Sequence, residues 1–226
     1  MAKIPIHKLR KKDLEWLATH LCKAHSTSYL QHYGCFLREK PLDAPFREKL
    51  GFFDIESSSL QATFGIMYCY CILDDESGKI LERTITPREL KTCLDKKVVE
   101  QCIKDIKKFD RITGYYSSRF DLPFVRTRAL YHGLEFPEYK ELLHTDLYFT
   151  IRNKFKLHSN RQESAYNMLV GESHKTHWGR DHWVRAMTGD KKALNYIIEH
   201  CRIDVKELRE LYYAVEKFSM KRKTSI

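Results

Sequence analysis

The spacing of apolar positions switches between helix and strand periods along the chain. Residues 8–23 place Leu14, Leu17 and Leu21 at helical spacing behind a basic start, and a polar, His- and Cys-containing loop runs on to about residue 50. The stretches GFFDIESSS (51–59), TFGIMYCYCIL (63–73) and KILERTIT (79–86) then read as strands. A turn over Asp74–Gly78 separates the last two, so an antiparallel meander is expected. Helical spacing returns at 95–109 with Val98, Cys102, Ile106 and Phe109 on one face, followed by a short strand RITGYY (111–116) and a helix starting near Asp121. After a further strand HTDLYF (144–149) the pattern is helical. It ends in a long amphipathic helix over about 190–217 with Leu194, Ile198, Cys201, Val205, Leu208 and Tyr212 as its stripe. Strands first, then alternation, then helices predict an α/β fold, a mixed sheet covered by helices. The closing KRKTSI is expected to fray.

Composition narrows the class. The chain has 226 residues, room for one catalytic core with a short appendage. No stretch approaches the roughly 20 apolar residues of a membrane span, and MAKIPIHKLRKK runs into charge instead of a signal-type apolar segment. Seven cysteines, an odd number in a chain of this size, point to a reducing compartment, cytoplasmic or nucleoid-associated, and away from secretion. The net charge of +10 favours a polyanionic partner, nucleic acid before anionic membrane. Ten Lys/Arg against five Asp/Glu in residues 1–49 put half of that excess in the N-terminal segment, a candidate clamp on a phosphate backbone or simply a solvated basic surface. The expected organisation is a basic appendage (1–49), a catalytic domain (50–217) and a basic tail (218–226).

Chemistry enters through carboxylates. Asp54 and Glu56, two apart on a strand, point the same way while Phe53 and Ile55 face the other layer. Like charges on one face of a central strand are costly unless hard cations such as Mg²⁺ or Mn²⁺ lie between them; taken alone, an Asp-x-Glu is more often an exposed polar face. Asp121 sits where a strand gives way to a helix, a place where Asp commonly serves the helix N-terminus. Asp204 borders the stripe of the last helix with His200 one turn before it, a pair that is usually a surface hydrogen bond. Asp146 is a further strand carboxylate, read as supporting, and Lys175 is a loop lysine that either contacts phosphate or is solvated.

Taken together, FDIES (53–57), YYSSRFDLPF (115–124) and HCRIDVKEL (200–208) resemble, in order, the three motifs of the DEDD superfamily of 3′→5′ exonucleases. The resemblance spans about residues 51–215. It implies a ribonuclease H-like fold with a five-stranded mixed sheet, and Asp54, Glu56, Asp121 and Asp204 gathered around two Mg²⁺ or Mn²⁺ ions. It further implies Asp54 as the bridging ligand, Glu56 and Asp204 on the nucleophile-side ion, Asp121 helping to hold the other, and His200 as general base. The third motif departs from the family. One branch has Tyr three intervening residues before the Asp, the other His with four, and this chain has His with three, which leaves Tyr196 as an alternative participant. The expected activity is 3′→5′ exonuclease on nucleic acid, DNA before RNA, single-stranded or with a free 3′ end. A ribonuclease, a structure-specific endonuclease or a silent nucleic-acid-binding protein on the same fold are the rivals.

The appendage carries a second constellation. Cys22-x₂-His25-x₆-His32-x₂-Cys35 pairs two thiols with two imidazoles at short spacing, a candidate structural Zn²⁺ site, with His20 as a competing ligand. Its spacer is shorter than in common zinc fingers. The alternative is four unrelated residues in a His-rich loop, and Tyr29, Tyr33 and Phe36 beside it are either a miniature core or stacking surfaces for bases.

Overall fold

The computed structural model of the chain describes residues 11–39, 41, 48–138, 141–175, 180–218 and 224–225. The chain divides into two compact units, Met1–Glu48 and Lys49–Met220, the second also including Thr224 and Ser225.

In the first unit, α1 (Lys11–Thr19) and α2 (Tyr33–Glu39) flank a run of turns closed by a bridge between Leu21 and Ser28. Leu17, Cys22, Tyr29, Cys35 and Phe36 make its small core, and Trp16 and Tyr33 pack against it. The helix expected over 8–23 stops at Thr19. There Thr19 Oγ1 donates to the Glu15 and Trp16 carbonyls and His20 Nδ1 lies 2.9 Å from the Trp16 carbonyl, so the last turn is closed by side chains. Leu21 therefore leaves the helical stripe and is exposed. Residues 8–10 of that expectation lie outside the described residues.

The second unit is built on a sheet of order β3-β2-β1-β4-β5-β6. The meander is β1 (Leu50–Ser57), β2 (Met67–Asp74) and β3 (Ile80–Thr84), antiparallel throughout; β4 (Arg111–Gly114) and β5 (Leu143–Asp146) run parallel to β1. These are the five expected strands of the mixed sheet. The two-residue β6 (Thr224–Ser225) adds to the edge, antiparallel to β5. The expected fraying is thus corrected for these two residues, because an edge strand offers unpaired N–H and C=O groups to any extended segment. The rest of the KRKTSI tail lies outside the described residues.

Around the sheet stand α3 (Pro87–Thr92), α4 (Lys96–Ile106), α5 (Asp121–Tyr131), α6 (Leu147–Lys154), α7 (Gln162–Leu169), α8 (Arg180–Met187) and α9 (Lys191–Val215). Strand alternation sorts β1 between two layers. Phe52 meets Tyr212 of α9 at 5.4 Å, so Asp54 and Glu56, in step with Phe52, face α9. Ile55 pairs with Tyr70, whose hydroxyl donates to Asp105 of α4 on the other face. The long helix and the two carboxylates of β1 are brought together by this parity alone.

Several boundaries differ from the sequence reading. β2 begins at Met67, since Gln61 accepts from Phe64 N and Gly65 N in a turn that leaves Phe64 exposed. Phe109 lies past the end of α4, though it is buried. HTDLYF stops being a strand at Asp146, whose carboxylate accepts from Tyr148 N and caps α6. β3 ends at Thr84, two residues short of the expected strand, and Thr86 with Glu89 forms a capping box that starts α3, a helix not expected from the sequence.

A buried ion network that sequence reading missed fastens α5 to the sheet. Asp95 is fully buried and accepts two hydrogen bonds from Arg128, at 2.9 and 2.6 Å, and one from Met67 N, with His132 Nε2 at 2.7 Å. Arg128 and these neighbours hold the Asp95 carboxyl below the usual range against its own burial. Charges at this depth are tolerated only with such full pairing. The helix so anchored begins at Asp121.

Candidate active site

Asp54 and Glu56 come from β1, Asp121 from the first turn of α5, and His200 and Asp204 from successive turns of α9. His200 Nε2 stands 3.7 Å from Asp204 Oδ2 and 4.0 Å from Glu56 Oε1. One ligand atom from each of Glu56, His200 and Asp204 lies within 4.8 Å of the other two. Asp121 Oδ1 accepts from Ile55 N at 3.1 Å, placing that carboxylate against the backbone between the two acids of β1. Cys201 Sγ donates to the Asp54 carbonyl at 3.5 Å and ties α9 to the same residue.

The approach of α5 is set by the loop before it. At Gly114 an added Cβ would lie 2.2 Å from Ser117 Oγ, so only glycine lets the chain double back there. Tyr116 adopts a left-handed φ of 61°, a conformation that costs a tyrosine of order 1–3 kcal/mol unless its surroundings enforce it. Asp146 supplies that enforcement. Its carboxylate accepts from Tyr116 N at 2.8 Å, Ser118 N at 2.9 Å and Ser118 Oγ at 2.5 Å, while also capping α6. The supporting role read for Asp146 is therefore concrete: it shapes the loop that delivers Asp121.

Lys175 departs from the solvated-loop reading. Its side chain is only 13% exposed and its Nζ lies 2.9 Å from Asp204 Oδ1. Glu207, one turn after Asp204 in α9, holds the segment in place by accepting from Ser173 Oγ and His174 N. Sequence gave no signal for this beyond a Glu on the stripe side of the helix. Tyr196 stacks on His182 of α8 at 4.8 Å.

Electrostatics mark the cluster as short of positive charge. Burial, then Asp204, Asp121 and Glu56, push the Asp54 carboxyl well above its ordinary range. Burial and the neighbouring acids do the same to Glu56, burial lifts Asp121 to about 7, and burial raises Asp204 although Lys175 opposes it. Lys175 is one cation among four acids. Asp54 Oδ2 is buried with no hydrogen-bond partner among the described residues, an orphaned anion-forming oxygen that a protein interior normally avoids. Burial, then Lys175, lowers His200 to about 4, which keeps its imidazole neutral near pH 7. The donor set, all carboxylate oxygen with one imidazole, suits hard divalent cations.

In the first unit the structure brings Cys22, His25, His32 and Cys35 together and leaves His20 on Trp16, outside the group.

An antiparallel meander extended by parallel strands, with acids on its central strand facing a late helix, defines a ribonuclease H-like protein. Residues 51–216 match the RNase_H_2 family of the RNase H superfamily, and the chain belongs to that family. RNase H-like nucleases generally use divalent metal ions. Among solved structures it is similar to the family B DNA polymerase of the hyperthermophilic archaeon Pyrobaculum calidifontis, with a TM-score of 0.61 and 16% identity. That likeness covers 76% of this chain and 25% of the polymerase, and at such identity it concerns the fold. Among curated proteins none matches. Among the described residues no helix is long and apolar enough to cross a membrane.

Proposed function

We propose that the chain is a two-metal-ion 3′→5′ exonuclease that hydrolyses phosphodiester bonds, with DNA preferred to RNA. The observation that carries this reading is the convergence of Asp54, Glu56, Asp121 and Asp204, all with raised pKa, around the unpartnered Asp54 Oδ2. In this reading the four carboxylates would hold two Mg²⁺ or Mn²⁺ ions, Asp54 serving both, Glu56 and Asp204 one of them and Asp121 the other. When bound there, such ions would supply Lewis-acid chemistry, lowering the pKa of a water and offsetting charge on a departing 3′-oxygen. The residues themselves do the rest. His200, neutral and one turn from Asp204, accepts the proton of the attacking water. Lys175 offsets the charge of Asp204 and has an ammonium to offer a substrate phosphate. The 3′→5′ polarity rests on the resemblance of the three motifs, and the preference for DNA on the DNA polymerase among the chain's structural neighbours.

The deciding experiment incubates end-labelled single-stranded DNA and RNA with the protein and Mg²⁺ or Mn²⁺. Stepwise shortening of 5′-labelled DNA from its 3′ end is expected, faster than for RNA. Internal cuts would replace the exonuclease reading with an endonuclease, and binding without cleavage would replace it with a silent nucleic-acid-binding protein.

A further inference from the structure

The Cys/His cluster of the first unit lies outside the matched family region and takes no part in the reading above. From its geometry we infer that Cys22, His25, His32 and Cys35 form a closed tetrahedral Zn²⁺ site that organises residues 11–39.

Distances are the first argument. With Zn–S of about 2.3 Å and Zn–N of about 2.0–2.1 Å, a tetrahedron sets sulfur and nitrogen ligands about 3.5–3.6 Å apart. Cys22 Sγ lies 3.8 Å from His25 Nδ1 and 3.9 Å from His32 Nδ1, and Cys35 Sγ lies 3.4 Å from His25 Nδ1. These edges scatter about the tetrahedral value within a few tenths of an ångström. The imidazoles meet edge to face at 4.9 Å, so both aim a ring nitrogen inward without stacking. All four ligand atoms fall within 4.8 Å of one another.

Local backbone explains why the short spacer suffices. Ser26, at φ 50°, donates to the Cys22 carbonyl and Cys22 N donates to the Thr27 carbonyl, so residues 22–27 form one tight turn that points Cys22 and His25 the same way. His32 and Cys35 span the entry to α2, where Cys35 N donates to the His32 carbonyl. One turn and one helix start face each other across six residues. Around the ligands, Arg38 Nη2 donates to Cys35 Sγ at 3.1 Å, and Glu39 closes the loop by accepting from Lys23 N and Tyr29 Oη.

Energetics supply the need. Among the described residues the apolar cluster holds five buried side chains, and two of them are the cysteines themselves. The unit, Met1–Glu48, is close to the size of about 40 residues below which domains usually call on disulfides or metals. All cysteines here are free thiols. With four protein ligands and no open position the site is structural, and two thiolates with two imidazoles select Zn²⁺ over the hard ions suited to the acidic cluster.

The full-length chain, expressed with zinc in the medium and purified without chelator, is expected to carry about one equivalent of zinc by elemental analysis. Cys22→Ser with Cys35→Ser should lower this to below about a tenth, whereas Cys93→Ser and Asp54→Asn should keep it. Hydrogen exchange should show residues 11–39 losing protection when zinc is stripped while the sheet of the second unit keeps its own. Should the double variant fail to fold, Co²⁺ added to the stripped wild-type chain reads the same site through intense visible bands of a tetrahedral thiolate–imidazole complex. A wild-type chain with no zinc and no such cobalt spectrum, or a double variant that keeps its zinc, would overturn the inference. Because the readouts are metal content and exchange, they stand or fall separately from nuclease activity.

Discussion

The two polar clusters of this chain are assembled in opposite ways. The carboxylates come from positions 54, 56, 121 and 204, on a central strand and two helices that meet only when the second unit has folded. The thiols and imidazoles come from positions 22 to 35, fourteen consecutive residues with a handful of apolar neighbours. In the first case the fold makes the site. Buried strands, the Asp95–Arg128 pair and the Asp146-held loop bring like charges together against their repulsion, which a large core can sustain. In the second, on the zinc reading, the site makes the fold, because metal ligation replaces the core that so short a segment cannot build. Removing ligands should therefore silence one region without unfolding it and unfold the other without silencing the chemistry.

The largest expected effect breaks the comparison at its acidic side. Asp54→Asn keeps side-chain volume and deletes the proposed bridging ligand, so turnover should fall below detection while the sheet and the zinc content persist. Circular dichroism and an end-labelled DNA assay check both halves. The same change relieves a buried charge repelled by Asp204, Asp121 and Glu56, so the metal-free variant should melt no lower than metal-free wild type. Wild-type turnover in a folded variant would remove Asp54 from the site.

Next comes His200, the residue on which the third motif departs from the family. Its neutral imidazole is the active form, and activity is lost as pH falls through its pKa. Burial and Lys175 have moved that value down to about 4 from the usual range of histidine, so the acidic limb should lie well below neutrality. His200→Ala should lower kcat by ~10²–10⁴-fold and abolish that limb, measured at saturating divalent cation. Retention of more than about a third of wild-type kcat would reject the base assignment. A loss recovered simply by raising the metal concentration would instead make His200 a ligand, which its position within reach of Glu56 and Asp204 permits.

How far the sequence foretold these regions follows from the range of the forces involved. Period-two alternation at 51–57 and the stripe of α9 are local signals, and they placed the central strand, the last helix and the facing of Asp54, Glu56 and Asp204. Boundaries decided by a single side chain went astray. Asp146 turned strand into helix by capping, and Thr19 with His20 closed α1 early. Pairs far apart in sequence left no trace: Asp95 with Arg128, Glu207 with Ser173, and Lys175 with Asp204 are set by topology, and no spacing rule connects them.

The smallest expected effect tests whether the acidic site depends on its frame as the comparison requires. Asp146 touches none of the four proposed ligands by any described hydrogen bond. Its carboxylate instead accepts from Tyr116 N, Ser118 N and Ser118 Oγ, holding a loop whose left-handed Tyr116 would otherwise relax, and Asp121 begins the helix three residues after Ser118. Asp146→Ala should therefore weaken metal-dependent activation by ~10–100-fold, the usual cost of losing a ligand's support, with kcat at saturating metal changed less. It also removes the cap of α6, at a cost of about 0.5–2 kcal/mol, so a lower Tm by itself is uninformative. Asp146→Asn separates the two effects, because its amide oxygen can still cap α6 while its amide nitrogen faces the donors of Ser118. If the frame positions the ligand, the Asn variant should recover most of the melting temperature and little of the metal affinity. Loss of stability in both variants with an unchanged metal requirement would show that Asp121 reaches its place without the loop, and that the acidic cluster is less dependent on its scaffold than its dispersed origin suggests.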